Sequence, residues 1–225
     1  MNFTYYGHAC FGIEVADARL LFDPFISGNP LAKNVDINSI RADYILVSHG
    51  HGDHVGDLLT IARHTDATVI ATAEIAGWVS KQGYTKVHPI NFGTTGFPFG
   101  KLHFVPASHS SGLPDGSYGG NPGGFIIKST EGNFYYAGDT SLTMEMKLVP
   151  GYARLDFAIL PIGGNFTMDA EDAVRASDMI ECGKIIGIHF DTFDLIKIDR
   201  DAAQAAFSKA NKDLILPEIN KSFRI

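Results

Sequence analysis

Short apolar runs alternate with polar or glycine-containing breaks through the first part of the chain. Residues 2–6 (NFTYY), 10–15 (CFGIEV) and 19–23 (RLLFD) are rich in β-branched and aromatic residues and are separated by Gly7-His8 and Ala16-Asp17. That pattern predicts strands joined by turns. The stretch 24–39 carries Pro24, Gly28, Asn29 and Pro30 and predicts a loop. Residues 44–48 (YILVS) are almost continuously apolar, as a strand buried on both faces is. Helical spacing follows at Val55, Leu58, Leu59 and Ala62, then a strand over 68–72 and a second short helix over 74–81.

The second half alternates in the same way. Strands are predicted over 101–107, 123–129 and 133–137, the last two joined by a hairpin across Glu131-Gly132. A buried strand over 155–160 precedes a helix with Asp169 as N-cap, with apolar positions Ala170, Ala173, Val174 and Ile180 and a stop at Gly183. Another strand over 184–188, a helix from about Asp199 to Ala210 and a short strand over 214–216 complete the reading. Strands inside and helices outside are expected, an α/β layered fold in one domain spanning 1–225.

Composition narrows the class. The 225 residues are 45% apolar and 19% charged, an ordinary globular balance, with a net charge of −7. An acidic chain is a poor electrostatic partner for nucleic acid. A bound cation reverses the local field, so a small anionic substrate stays open. Two distant cysteines, Cys10 and Cys182, give no disulfide framework and suit a reducing compartment. Neither a basic-then-apolar leader nor a run of 18 apolar residues is present, so a soluble cytoplasmic protein with no membrane contact is expected. Homo-oligomerisation is left open.

The most informative segment is 46–57, LVSHGHGDHVGD, where His49, His51, Asp53 and His54 fall at the end of a buried strand and the start of a helix. Imidazole and carboxylate are suitable donors for Zn²⁺ and related ions. His49 and His51 face the same way if the chain is extended, while Asp53 and His54 turn elsewhere as the helix begins. One segment can therefore serve two adjacent ions, and Gly50 and Gly52 permit the sharp path. Further candidates end other strands: His109 in PASHSSG, Asp139 in AGDT and His189 in GIHFD. Any one of these alone is as readily an ordinary polar residue at a strand end. Their recurrence beside the HxHxDH segment makes a shared metal centre the better reading.

The order HxHxDH, His, Asp, His resembles the metallo-β-lactamase superfamily. The resemblance runs through YYGHACF, LLFDPF, VSHGHGDHVGD, PASHSSG, AGDT, PIGGNFTMDAEDA and IHFDTF. These strings look most like a branch of uncharacterised metal-dependent hydrolases related to the L-ascorbate-6-phosphate lactonases. The resemblance implies a four-layer αββα sandwich and a binuclear site at one edge of its two sheets. It places His49, His51 and His109 on a first divalent ion and Asp53, His54 and His189 on a second, with Asp139 bridging. Zn²⁺ leads, and Mn²⁺, Fe or Ni²⁺ suit the same donors. Asp139, where the common β-lactamases carry cysteine, points away from antibiotic hydrolysis. The added domains of glyoxalase II, of the RNA-processing nucleases and of the flavodoxin fusions have no room in this length.

The implied chemistry is attack by a hydroxide bridging the two ions on an ester, lactone or phosphoester of a small molecule, with Asp53 and Asp139 as the catalytic carboxylates. A lactone or phosphorylated sugar derivative is the first expectation. A phosphodiesterase for nucleotide or lipid-derived substrates and a non-catalytic metal-binding scaffold are the alternatives. The resemblance places Asp23 beneath the metal loop, where it would orient the loop or a ligand imidazole, and a simple turn residue is the competing reading. His8 is a supporting candidate in a tight turn. Asn165 and Thr167 are expected to line the pocket, unless Thr167 only caps the next helix. The glycine-rich segment 109–124 is a lid candidate, as more weakly is 24–39. His64, His88 and His103 have no matching context.

Overall fold

The computed structural model describes residues 1–225. Fourteen strands form two seven-stranded sheets. The first contains β1 (Asn2–Gly7), β2 (Cys10–Val15), β3 (Ala18–Phe22), β4 (Tyr44–Leu46), β5 (Thr68–Thr72) and β6 (Val87–Ile90). The second contains β7 (Gly93–Phe97), β8 (Gly100–Pro106), β9 (Gly123–Ser129), β10 (Gly132–Tyr136), β11 (Phe157–Pro161), β12 (Lys184–Ile188) and β13 (Asp213–Ile215). The C-terminal β14 (Lys221–Arg224) returns to the first sheet and pairs antiparallel with β1.

Each sheet is antiparallel at one end and parallel at the other, β3 to β6 in the first and β10 to β13 in the second. Parallel neighbours need crossovers; the 23–43 loop makes the one from β3 to β4, and helices supply the others. They are α1 (Gly52–Val55), α2 (Leu58–Thr65), α3 (Ala73–Lys81), α4 (Val149–Tyr152), α5 (Ala170–Met179) and α6 (Arg200–Lys209). Asp169 and Asp199 cap α5 and α6, each carboxylate accepting a backbone N–H three residues on.

Three apolar layers follow. Between the sheets lie Phe3, Phe11, Phe22, Phe104, Phe125, Phe134, Tyr136 and Phe157, all buried. Outside the first sheet, Ile45, Val47 and Val69 pack with Leu58, Ile61 and Ile75 of α2 and α3. Outside the second, Ala158, Leu160 and Ile185 pack with Ala173, Ala176 and Phe207 of α5 and α6. The stacking is helix, sheet, sheet, helix, the expected αββα sandwich.

Several local expectations are corrected. The helix after His54 is broken at Gly56-Asp57, because the Asp57 carboxylate turns back to accept the N–H groups of Ile26 (2.6 Å) and Ser27 (2.8 Å). That bond ties the 24–39 loop to the helix base. The hairpin between β9 and β10 turns at Thr130-Glu131, with Ser129 opposite Gly132. Three strands not foreseen, β6, β7 and β14, lie at or beside sheet edges.

Candidate metal centre

The site is built where strands of both sheets end along one rim. His8 turns between β1 and β2, Asp23 follows β3, and the HGHGDH segment follows β4. From the second sheet come His109 after β8, Asp139 after β10 and His189 after β12. The rim is stitched across the sheets by backbone bonds, Gly123 N–H to Ser48 O (3.1 Å) and His189 N–H to His8 O (2.9 Å). His8, Asp23 and His189 have φ of 56°, 42° and 58°, left-handed conformations that L-residues rarely adopt. Each costs of the order of 1–3 kcal/mol, and such residues gather where a precise side-chain direction is needed.

Two groups of donors converge. His49, His51 and His109 offer nitrogens all within 4.8 Å of one another, and so do the donors of His8, Asp53, His54 and His189. Asp139 lies between the groups. Its Oδ2 is 2.9 Å from His189 Nε2, 3.3 Å from His54 Nε2 and 3.7 Å from His109 Nε2. Yet the ring nitrogens of His189 and Nε2 of His54 are buried without an aligned hydrogen-bond partner. Two buried Nε2 atoms that gather at one carboxylate oxygen without an aligned hydrogen bond to it fit a cation between them.

Hydrogen bonds beneath the rim fix which nitrogen each imidazole presents. Asp23, fully buried, accepts from Ser48 N–H (2.7 Å) through Oδ1. Its Oδ2 accepts from Ser48 Oγ (2.6 Å), Tyr136 Oη (2.5 Å) and His54 Nδ1 (2.9 Å). A carboxylate only accepts, so His54 Nδ1 carries a hydrogen and it is Nε2 that faces Asp139. Ser48 Oγ spends its hydrogen on Asp23, so it accepts from His49 Nδ1 (3.0 Å), leaving His49 Nε2 for the cluster. His51 meets Ser110 Oγ through Nε2 (3.1 Å) and sets Nδ1 3.0 Å from His49 Nε2. Asp23 also lies within reach of His49 and His54 as a donor group. Its Oδ2 is already fully engaged, which makes it a support for the imidazoles.

His8 fills the corresponding position on the other side. Its Nε2 donates to Asp53 Oδ2 (3.0 Å), and Nδ1 lies 2.9 Å from Thr192 Oγ. Burial, followed by the neighbouring His189, lowers its pKa from 6.5 to about 4, so the ring is neutral and Thr192 donates to it. Burial likewise holds His49 well below the usual imidazole range. For Asp53, burial raises the carboxyl, but the bond from His8 and the nearby His54 outweigh it and leave it below the ordinary range. For Asp139, His189 and His54 similarly overcome burial. His54 moves the other way: burial opposes its charge, but Asp139 and Asp23 hold its pKa well above 6.5.

Above the donors opens a cavity of about 280 Å³ lined by His51, Asp53, His109, Ser110, Asp139, Phe166, His189 and Phe193. The expectation for Asn165 and Thr167 is corrected here. Neither lines the cavity; Phe166 between them does, because Asn165 takes a left-handed φ of 55° and the Thr167 hydroxyl bonds Met168 O. Nor is Thr167 the cap of α5, since Asp169 is. Phe166 and Phe193 carried no periodic signal as single apolar residues in loops. The 109–124 segment folds on itself, with Gly119 N–H donating to Ser111 O (2.7 Å) and Leu113 N–H to Ser117 O (2.8 Å). Ser111 Oγ also accepts from Gly50 N–H (3.0 Å), so this segment buttresses the metal loop. A larger hollow of about 560 Å³ along β1 to β3 holds mixed charges and none of these donors.

An αββα sandwich with an HxHxDH rim defines the metallo-β-lactamase class of fold. The β-lactamase superfamily domain matches residues 18–190. Similarity to UPF0173 metal-dependent hydrolases extends over the whole chain. The protein from Flavobacterium johnsoniae is 52% identical over 226 residues, covering 100% of both chains, and that from Methylacidiphilum infernorum is 48% identical, covering 99% of both. Among solved structures, Igni18, a metallo hydrolase from the archaeon Ignicoccus hospitalis, is 30% identical with a TM-score of 0.87, covering 100% of this chain and 98% of its own. The chain belongs to the UPF0173 metal-dependent hydrolase family within the β-lactamase superfamily.

Proposed function

We propose that the rim holds two divalent cations, one on His49, His51 and His109 and one on Asp53, His54 and His189, with Asp139 shared. The observation that carries this reading is Asp139 Oδ2, which lies 2.9–3.7 Å from imidazole nitrogens of both groups. Nitrogen and carboxylate donors suit Zn²⁺ first, and equally admit Mn²⁺, Fe or Ni²⁺. When bound, such ions supply Lewis acidity and lower the pKa of water enough for hydrolysis of an ester, lactone or phosphoester at neutral pH. The chain supplies the rest. Asp53 stands at the cavity wall with one oxygen held by His8, positioned to orient the attacking water and accept its proton. Asp23 and Ser48 keep His49 and His54 in the tautomers that leave Nε2 free, and His8 with Thr192 fixes the Asp53 carboxylate. Ser110 and the two phenyl rings line the cavity beside the donors.

The test is elemental analysis together with a panel of simple esters, lactones and bis-p-nitrophenyl phosphate. Wild-type protein is expected to carry close to two ions per chain and to hydrolyse panel members. His51→Ala and Asp139→Ala are expected to lose metal and turnover together. Full metal content and full turnover in Asp139→Ala would refute the proposal.

A further inference from the structure

The cavity wall above the donors is not what a phosphorylated sugar requires. Beyond the proposed ligands it offers the Ser110 hydroxyl and the rings of Phe166 and Phe193. No lysine or arginine lines it. Arg200 is paired with Asp191 (2.8 Å) and lines a separate hollow behind His8, and Lys197 is paired with Asp194 (2.7 Å). The N-terminus of α5, the helix that follows Phe166, is occupied by its own cap, Asp169. A phosphate remote from the reacting bond would find no cation or free helix end in the wall.

The rings, by contrast, are set in place and open to solvent. Phe193 is 39% exposed, although its ring meets His8 edge-on at 5.4 Å and Phe25 at 6.4 Å. Phe166 is 52% exposed at the apex of a tight turn in which its N–H donates to Gly164 O. Two aromatic rings left wet in one concavity beside a polar cluster are the usual composition of a small-molecule site, apolar walls with few polar groups. Size sets a limit as well. A cavity of roughly 150 Å³ accommodates one benzene, so about 280 Å³ takes one ring plus a short reacting group.

We infer that the substrate presents an uncharged apolar group of about one aromatic ring to Phe166 and Phe193, next to the bond that is cleaved. This rests on the hydrolytic reading of the site and names the substrate class for it. An aromatic contact of this kind changes affinity by roughly two- to twelvefold.

The experiment compares three esters with the same bond and leaving group: methyl phenylacetate, methyl acetate and methyl phosphonoacetate. The metal-loaded enzyme is expected to favour methyl phenylacetate over each of the others by at least about tenfold in kcat/KM. Phe166→Ala and Phe193→Ala are each expected to reduce the phenylacetate-to-acetate ratio by about fivefold while retaining a cooperative melting transition, with the larger drop in Tm for Phe193→Ala because its ring packs on His8 and Phe25. Preference for the phosphono ester, or a ratio unmoved in both variants, would overturn the inference. Binding is read separately, from the visible spectrum of Co²⁺-loaded protein titrated with phenylacetate, acetate and phosphonoacetate. Tighter phenylacetate binding that weakens in Phe166→Ala supports the inference even if no ester turns over, in which case the ester assignment alone fails. Equal affinity for phenylacetate and acetate overturns it.

Discussion

Asp23→Asn separates two roles that one carboxylate performs. The native Oδ2 accepts three hydrogens, from Ser48 Oγ, Tyr136 Oη and His54 Nδ1. The Ser48 N–H can only donate, so the amide keeps its oxygen there and sets its nitrogen at the Oδ2 position, where it offers two hydrogens instead of accepting three. The hydroxyls of Ser48 and Tyr136 can rotate to accept, but His54 accepts at Nδ1 only by carrying its hydrogen on Nε2, the atom that faces Asp139. In wild type the imidazole, once neutral, keeps its hydrogen on Nδ1 and frees Nε2; in the variant the neutral ring keeps it on Nε2, a proposed ligand atom. Altering the partner that orients a ligand imidazole lowers metal affinity by about 10- to 100-fold, or about 1.4–2.7 kcal/mol. Stability falls too, because rearranging a buried charged network costs about 3–5 kcal/mol, or roughly 6–20 °C in Tm at this chain length. Chelator competition with Zn²⁺ measures the first effect, and thermal unfolding of chelated protein measures the second. Tyr136→Phe is the control: it removes one donor to Asp23 without disturbing His54, so it lowers Tm but leaves affinity within about twofold. If Asp23→Asn also binds Zn²⁺ within twofold of wild type, the tautomer argument is wrong and Asp23 is only a structural acceptor.

Three further outcomes follow from the same geometry. His54 has a raised pKa in the metal-free site, so cation uptake displaces its proton. Calorimetry at pH 7 in buffers of different ionisation enthalpy should show proton release, with affinity rising as pH rises; no release would contradict it. Acid is expected to destabilise the chelated protein. The folded-state pKa values of His8, His49, Asp53 and Asp139 all lie below their unfolded values, so the unfolded chain takes up protons first as pH falls. His54 alone opposes this trend. His8, moving from 6.5 to about 4, contributes roughly 3 kcal/mol that is lost across that interval. Urea unfolding at pH 7 and pH 5 measures the loss, and equal midpoints would refute it. Gly163→Ala would set a Cβ 2.2 Å from His189 O and 3.0 Å from Ile196 Cβ. Overpacking of this kind costs about 1–3 kcal/mol, so a lower Tm and weaker metal binding are expected, the latter because His189 must move; wild-type values in both assays would exclude this.

Much of the centre is legible in the sequence because its donors sit where apolar runs stop. His49, His51, Asp53 and His54 are consecutive enough to be read together, and His109, Asp139 and His189 each close a strand of the second sheet. Their supports are harder to see. The role of Asp23 depends on Tyr136, which is 113 residues away, and that of His8 on Thr192, 184 residues away. Spacing along a chain carries no trace of such partners. The strands not foreseen share another cause. β6 contains Pro89 and ends its sheet, β7 is GTTGF and mostly exposed, and β14 is KSFR. These hold their place through ladder hydrogen bonds to a neighbour and bury little apolar surface, so hydropathy does not mark them.

The proposed ligands are divided between the two halves of the sandwich, four on the loop after β4 and three on strand ends of the opposite sheet. Neither half alone can assemble a complete coordination shell. A nascent chain released only as far as Ser129 would already contain HGHGDH and His109, but not Asp139 or His189. Capture of the second cation would then be the last event of assembly, and a retained pair would certify that both halves had docked. Translation intermediates and misdocked chains would be left without hydrolytic capacity, which keeps a reactive centre silent until its surroundings are finished.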